Sequence, residues 1–213
     1  MTGPELQRDI RAAFDAVAAD YAAAFRDDLA GRPLDRALLA AFVELTAGLG
    51  PIGDLGCGPG HVTAHLAGLG ADVVGIDLSP GMVAIARQEH PGLSFEVGSM
   101  TALDLPGSSL GGVLAWYSIV NLPADRLPAV FAEFHRVLVP GGQLLVAFQS
   151  GDEVRRGTEW FGHPITLAVY RRQPEQVAEL LTAAGFQVHA QLVRRADPTG
   201  LERGPRAHLL AAR

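Results

Sequence analysis

From Pro51 onward the sequence alternates short apolar runs with helical patterns, and this rhythm leaves few folds open. Ile52–Leu55 precedes a helical stretch from Val62, Val73–Ile76 one from Pro80, and Val113–Tyr117 one from Asp125. Leu93–Val97 leads into a loop, and Leu144–Phe148 closes the series. A strand with one solvated face alternates apolar and polar residues, whereas VVGI, VLAWY and LLVAF are apolar throughout. Such strands are buried on both faces by crossover helices, which predicts a mostly parallel sheet. A last helix, Pro174–Ala184, passes through Gly185 into Phe186–Val193. Ala207–Ala212 follows the turn-rich stretch 196–205, so the two closing runs predict an antiparallel hairpin. Upstream, Ile10, Phe14, Val17, Tyr21 and Phe25 fall at helical spacing, as do Leu34, Leu38, Leu39, Phe42 and Leu45. Two helices therefore precede the first strand, separated by Gly31-Arg32-Pro33.

Composition narrows the chemistry. The chain has 213 residues, 48% of them apolar and 19% charged, the balance of a folded protein. Its formal charge is −6 and no run of Arg forms a basic stripe, which argues against a nucleic-acid substrate. The opening residues contain no apolar core of signal-peptide length and no window approaches a membrane span, so a cytoplasmic protein is expected. The one cysteine, Cys57, can form neither an internal disulfide nor a cysteine-based zinc cage. All 17 basic residues are Arg. The missing lysine excludes a Schiff-base catalyst, a pyridoxal phosphate anchor and a P-loop phosphate clamp.

The sharpest motif is Asp54-Leu55-Gly56-Cys57-Gly58-Pro59-Gly60, between the first apolar run and a helix. Alternate glycines let the backbone turn tightly and approach a ligand, and the helix N-terminus that follows favours a negative group. The same residues are also compatible with a plain strand-to-helix turn. A dinucleotide fingerprint counted from Gly56 requires glycine at position 61, where the chain has His61. Asp77 ends the second run 23 residues after Asp54, where a carboxylate accepts both hydroxyls of a ribose. Ser79 then reads as a helix N-cap with Pro80 at the first helical position.

In these residues the sequence resembles the class I S-adenosylmethionine-dependent methyltransferases, whose first motif is acidic-x-Gly-x-Gly-x-Gly, matched in full across Asp54–Gly60. The resemblance is strong over roughly residues 50–150. It implies a Rossmann-like α/β fold: a mostly parallel seven-stranded sheet with helices on both faces, an antiparallel last strand and an N-terminal helical cap. The chain is read as one domain, 1–213, with the cap at 1–48 and an insertion or lid over the acceptor site at 150–172. The implied cofactor is S-adenosylmethionine, leaving as S-adenosylhomocysteine. Asp54 would act near its amino-acid part and Asp77 at the ribose. Gly56, Cys57, Gly58 and Gly60 form the loop, while Leu78 and Met82 lie beside the base, with ordinary core packing an equal reading for Met82. Family members often carry Asp where this chain has Ser99, so Ser99 or the Met100 backbone would have to meet the adenine. Tyr21 and Tyr117 complete the expected cofactor set.

A sulfonium methyl is already activated, so positioning should dominate over acid–base chemistry. Tyr21, Trp116, Tyr117, Trp160, Phe161 and Tyr170 are candidate walls of a dry pocket. His163 is the first candidate for a base, against the reading of a solvated loop histidine, and Asn121 can orient an acceptor. His61 and His65 stand four apart but have no evident third ligand and are read as non-metal, so no metal is expected. The expected activity is methyl transfer to an O, N or C atom of a small-molecule acceptor by a monomer or homodimer. A non-methylating reaction such as cyclisation on the same scaffold stays open, and an NAD-dependent oxidoreductase is disfavoured by His61.

Overall fold

The computed structural model describes residues 3–196 and 204–213. The turn expected between the two closing strands lies largely outside them. The chain begins with α1 (Gly3–Phe25) and α2 (Pro33–Thr46), then runs β1 (Ile52–Leu55), α3 (His61–Gly68), β2 (Val73–Asp77), α4 (Pro80–Glu89) and β3 (Ser94–Val97). There follow β4 (Leu110–Trp116), α5 (Leu127–Val137), β5 (Leu138–Gln149), β6 (Val154–Trp160), β7 (His163–Tyr170), α6 (Pro174–Ala183), β8 (Gln187–Arg194) and β9 (Arg206–Ala212). Seven strands form one sheet in the order β3-β2-β1-β4-β5-β9-β8. The first five are parallel, and β9 inserts antiparallel between β5 and β8. The sheet is thus the mostly parallel α/β arrangement expected.

Alternation along the central strands explains why their sequences are apolar throughout. Val113 and Ala115 of β4, with Leu144, Val146 and Phe148 of β5, face α5 and α6. Leu114 and Trp116, with Leu145 and Ala147, face α2 and α3. On α5, Leu127, Val130, Phe131, Phe134 and Val137 make one helical stripe and are all fully buried. Each such side chain contributes about 2 kcal/mol of burial.

Three expectations change. The N-terminal helices do not form one cap: Leu39 and Phe42 seat α2 on the sheet in the core with α3, and only α1 crosses the C-terminal strand edge, against α4 and β7. The insertion folds as a separate two-stranded hairpin, β6–β7. Its sequence VRRGTEW gave no strand signal because no face of β6 is buried. Finally, β4 ends at Trp116, and Tyr117 leaves it with φ 55°, a left-handed conformation rare for a large side chain.

Candidate functional site

β1 pairs with β2 on one side and β4 on the other, so the connections leaving β1 and β4 diverge at the C-terminal edge of the sheet. That divergence is where open α/β sheets open a crevice. The two tips nearly touch there: a Cβ on Gly56 would lie 2.3 Å from the Ser118 Cβ, which only glycine avoids. Gly58 differs, because its φ is +56° and a Cβ would meet nothing nearer than Tyr21 at 3.9 Å. Its bare backbone instead faces open cleft, available to a ligand.

The cleft has two chambers sharing Phe14, Tyr21, Gly56, Gly58, Trp116, Tyr117 and Asn121. The first spans about 820 Å³, open solvent included, over the tips of β2 and β3, and Asp77, Leu78, Ser79, Met82, Ser99 and Met100 line it. Asp77 is pre-oriented: the Gly58 and Ser79 amides each donate to one of its oxygens at 2.8 Å. Burial nonetheless holds its pKa above the usual carboxylate value. Ser79 caps α4 as expected, its hydroxyl accepting from the Met82 amide. Asp15 of α1 accepts from the Ser79 hydroxyl at 2.5 Å and the Gly81 amide at 2.9 Å, which pins α1 to the start of α4. Gln7 of α1 donates to Ser99 at 3.0 Å and Thr101 at 2.7 Å, giving the far wall a polar stripe.

Buried polar atoms in the cleft walls that make no hydrogen bond include Asp54 Oδ1 and Ser118 Oγ. The other Asp54 oxygen accepts from Thr63 at 2.6 Å. Burial pushes the Asp54 pKa up to about 7, against the Thr63 bond, which lowers it. An orphaned buried carboxylate oxygen beside a glycine loop suits a cationic group, which would return the charge stabilisation lost on burial.

The second chamber extends past Tyr117 beneath the hairpin and encloses about 1970 Å³, open solvent included. Phe25, Trp160, Phe161, Ile165 and Leu167 add apolar surface to the shared aromatics. Tyr21 stands edge-on to Phe14 and Trp160, with ring centroids 6.1 and 5.4 Å away. Burial, then Asp28 and Asp77, push its phenol pKa up, so it stays protonated.

Most of the expected cofactor residues converge on the cleft, but several side chains do not go where expected. Cys57 turns its thiol into a small core with Val83, Ala86 and Phe95, where burial raises its pKa and keeps it inert. Gly60 is demanded by Phe95, which a Cβ would meet at 2.7 Å. His163 is not among the cleft-lining residues; its Nε2 lies 3.0 Å from Asp20 Oδ2, joining the hairpin tip to α1. Tyr170 is also absent from the walls, and Phe14 and Phe25 stand there instead. Asn121 reaches both chambers while its amide nitrogen donates to the Ala168 carbonyl at 2.9 Å. Burial, with His90 and Arg32, lowers the His61 pKa to about 4 and leaves the ring neutral near pH 7. Among the described residues no cluster of three metal-ligating side chains occurs, and no helix is long and apolar enough to cross a membrane.

Gln7, Ile10, Arg11, Phe14 and Phe25 were not singled out as site residues from the sequence. The signal was present in the α1 stripe, but an apolar stripe does not reveal whether it covers a core or a cleft.

Residues 52–142 match the model of a methyltransferase domain, spanning β1 to the start of β5 and the whole glycine loop. Over those residues the chain carries a methyltransferase domain. The demethylmenaquinone methyltransferase of Chlorobaculum parvum is 39% identical over 90 residues, 42% of this chain and 36% of that protein. The malonyl-[acyl-carrier protein] O-methyltransferase of Yersinia pestis is 27% identical over 177 residues, 70% of this chain and 66% of that protein. The chain thus spans less than two thirds of the length of these curated relatives. Among solved structures, the DhpI–SAH complex superposes with a TM-score of 0.71 at 25% identity, covering 99% of this chain and 98% of that one. The β1–β5 core holds the matched domain, whereas α1 and the β6–β7 hairpin lie outside it.

Proposed function

We propose that this methyltransferase transfers the methyl group of S-adenosylmethionine to an O, N or C atom of a small-molecule acceptor. The observation that carries the reading is the pair Asp54 and Asp77 flanking a glycine loop, with one buried oxygen of Asp54 unpartnered and both oxygens of Asp77 held in place. Asp77 accepts the ribose hydroxyls, Leu78 and Met82 sandwich the base, and the Gln7–Ser99–Thr101 stripe meets its polar edge. Asp54 attracts the ammonium, directly or through water. Gly58 leaves room for close approach of the donor.

The bound donor supplies an activated sulfonium methyl, so this chain's residues act by placement. α1 covers the first chamber and the hairpin covers the second, which keeps water from both. Asn121 and Tyr117, at the shared wall, orient the acceptor toward the methyl. His163 is occupied with Asp20 in holding the lid tip, and we assign it no proton transfer. The similarity to a demethylmenaquinone methyltransferase supports the acceptor class.

Calorimetric titration with S-adenosylmethionine and S-adenosylhomocysteine, with NADH as control, tests the reading. Micromolar binding of the first pair and none of NADH is expected; no binding of the pair overturns it. Turnover without formation of S-adenosylhomocysteine would instead identify a non-methylating reaction such as cyclisation.

A further inference from the structure

The second chamber is basic although the chain as a whole carries −6. Arg155, Arg156, Arg171 and Arg206 line it, brought from β6, the exit of β7 and the start of β9. Arg32 also lines it but sits 2.5 Å from Asp28 and 3.9 Å from the buried Asp35, so its charge is answered locally. Around the other four, Glu153 lies 3.3 Å from Arg155 and 3.6 Å from Arg171, Asp54 and Glu159 stand in the wall, and Arg171 and Arg206 have further contacts of their own. Glu153 is 62% exposed, so solvent screens it, whereas the Arg171 side chain is only 10% exposed. Arg171 is held below the usual guanidinium pKa first by burial and then by Arg155, with Glu153 opposing and Arg206 adding to it. These cations therefore crowd one another. Arg206 lies 5.3 Å from the centre of the Tyr117 ring, so it borders the wall that both chambers share.

The same chamber gathers both tryptophans of the chain, Trp116 and Trp160, together with Phe161 stacked on Trp160 at 5.3 Å. Phe161 is held at φ 52° in the hairpin tip and stays 40% exposed. A large ring kept in a left-handed turn and left half in water is backbone strain retained without a core to reward it. Planar apolar walls beside clustered guanidiniums suit a ligand with a ring and a negative end, because guanidinium forks bind oxyanions in two-pronged fashion and also stack.

Resting on the methyl-transfer reading, we infer that the acceptor is a ring-bearing oxyanion, its carboxylate or phosphate held by Arg155, Arg171 and Arg206 and its ring between Tyr117 and Trp160. The ligand shares the arginines' existing contacts rather than replacing them. The negative end anchors the acceptor at the hairpin side and leaves its opposite end toward the first chamber.

The test is calorimetric titration of the protein loaded with S-adenosylhomocysteine, using 2-naphthoate, 2-naphthyl phosphate and the neutral 2-naphthamide. At least one anion should bind tenfold or more tighter than the amide, and which one does so separates carboxylate from phosphate. Arg206→Gln and Arg155→Gln should each weaken the anion five- to tenfold while leaving amide and S-adenosylhomocysteine affinities unchanged. Arg155 sits on an exposed strand, so its variant stays informative if Arg206→Gln fails to fold. Equal binding of anions and amide, equal losses for all three ligands in the variants, or no binding of any of them overturns the inference. Failure of S-adenosylhomocysteine to bind would fall on the donor reading alone, since the naphthalene titrations can be run on the unloaded protein.

Discussion

The two chambers are built from different materials. The first is shaped by backbone: Gly58 and Ser79 amides fix Asp77, and the Ser79 hydroxyl and Gly81 amide receive Asp15 of α1. The second is shaped by side chains, aromatic and basic, on a hairpin that shares no hydrogen-bonded strand with the main sheet. Backbone geometry specifies one ligand and tolerates little change; side chains on an outlying hairpin can be exchanged without disturbing the sheet. On the proposed reading, the difference separates a cofactor site from a substrate site within one cleft.

The sharpest way to break this comparison is Asp77→Ala. Removing a ligand-facing carboxylate fixed by two amides should cost S-adenosylmethionine affinity about 100-fold, ~2.7 kcal/mol, in calorimetry, with circular dichroism unchanged. An affinity that stays put would show the first chamber is not the donor site. Next in size, Trp160→Ala should raise the acceptor KM about tenfold by steady-state kinetics through lost ring contact, while the donor Kd holds. A parallel change in donor binding would mean that the chambers are one site. The smallest effect concerns Asp54, whose folded pKa of about 7 exceeds the unfolded carboxylate value of 3.8. A raised carboxylate pKa contributes stability that is full below the unfolded value and is lost as pH rises through the folded one. The ligand-free protein should therefore melt at slightly lower temperature at pH 8 than at pH 6, and Asp54→Asn should flatten that slope. Binding the donor's ammonium should release a fraction of a proton near pH 7, measurable by titration in buffers of different ionisation enthalpy.

Where the structure followed the sequence reading, the determining contacts were local. Asp54 stands next to last in β1 and Asp77 ends β2 because apolar runs fix where these strands stop. Ser79 caps α4 by bonding an amide three residues on. The readings that changed all depended on distant partners. His163 was a loop histidine in sequence and became the partner of Asp20, 143 residues away. Asp35, in the first turn of α2, is buried with Arg194 donating to both its oxygens at 2.9 and 3.0 Å, a pairing across 159 residues. The β6–β7 hairpin gave no periodic signal, since period-two alternation appears only where one face meets a core.

By itself, then, the sequence determined the parallel sheet, the glycine loop, the carboxylates Asp54 and Asp77 in the last residues of the first two strands and the helical character of α1, because buried strands, tight turns and caps are encoded within a few residues of where they form. Tertiary structure alone decided that the α1 stripe helps to close a cleft, that α2 belongs to the sheet, and that arginines from three separate segments line one chamber. Those outcomes depend on which surfaces the fold brings together, and apolar or charged faces carry no address for their partners until the chain has closed around them.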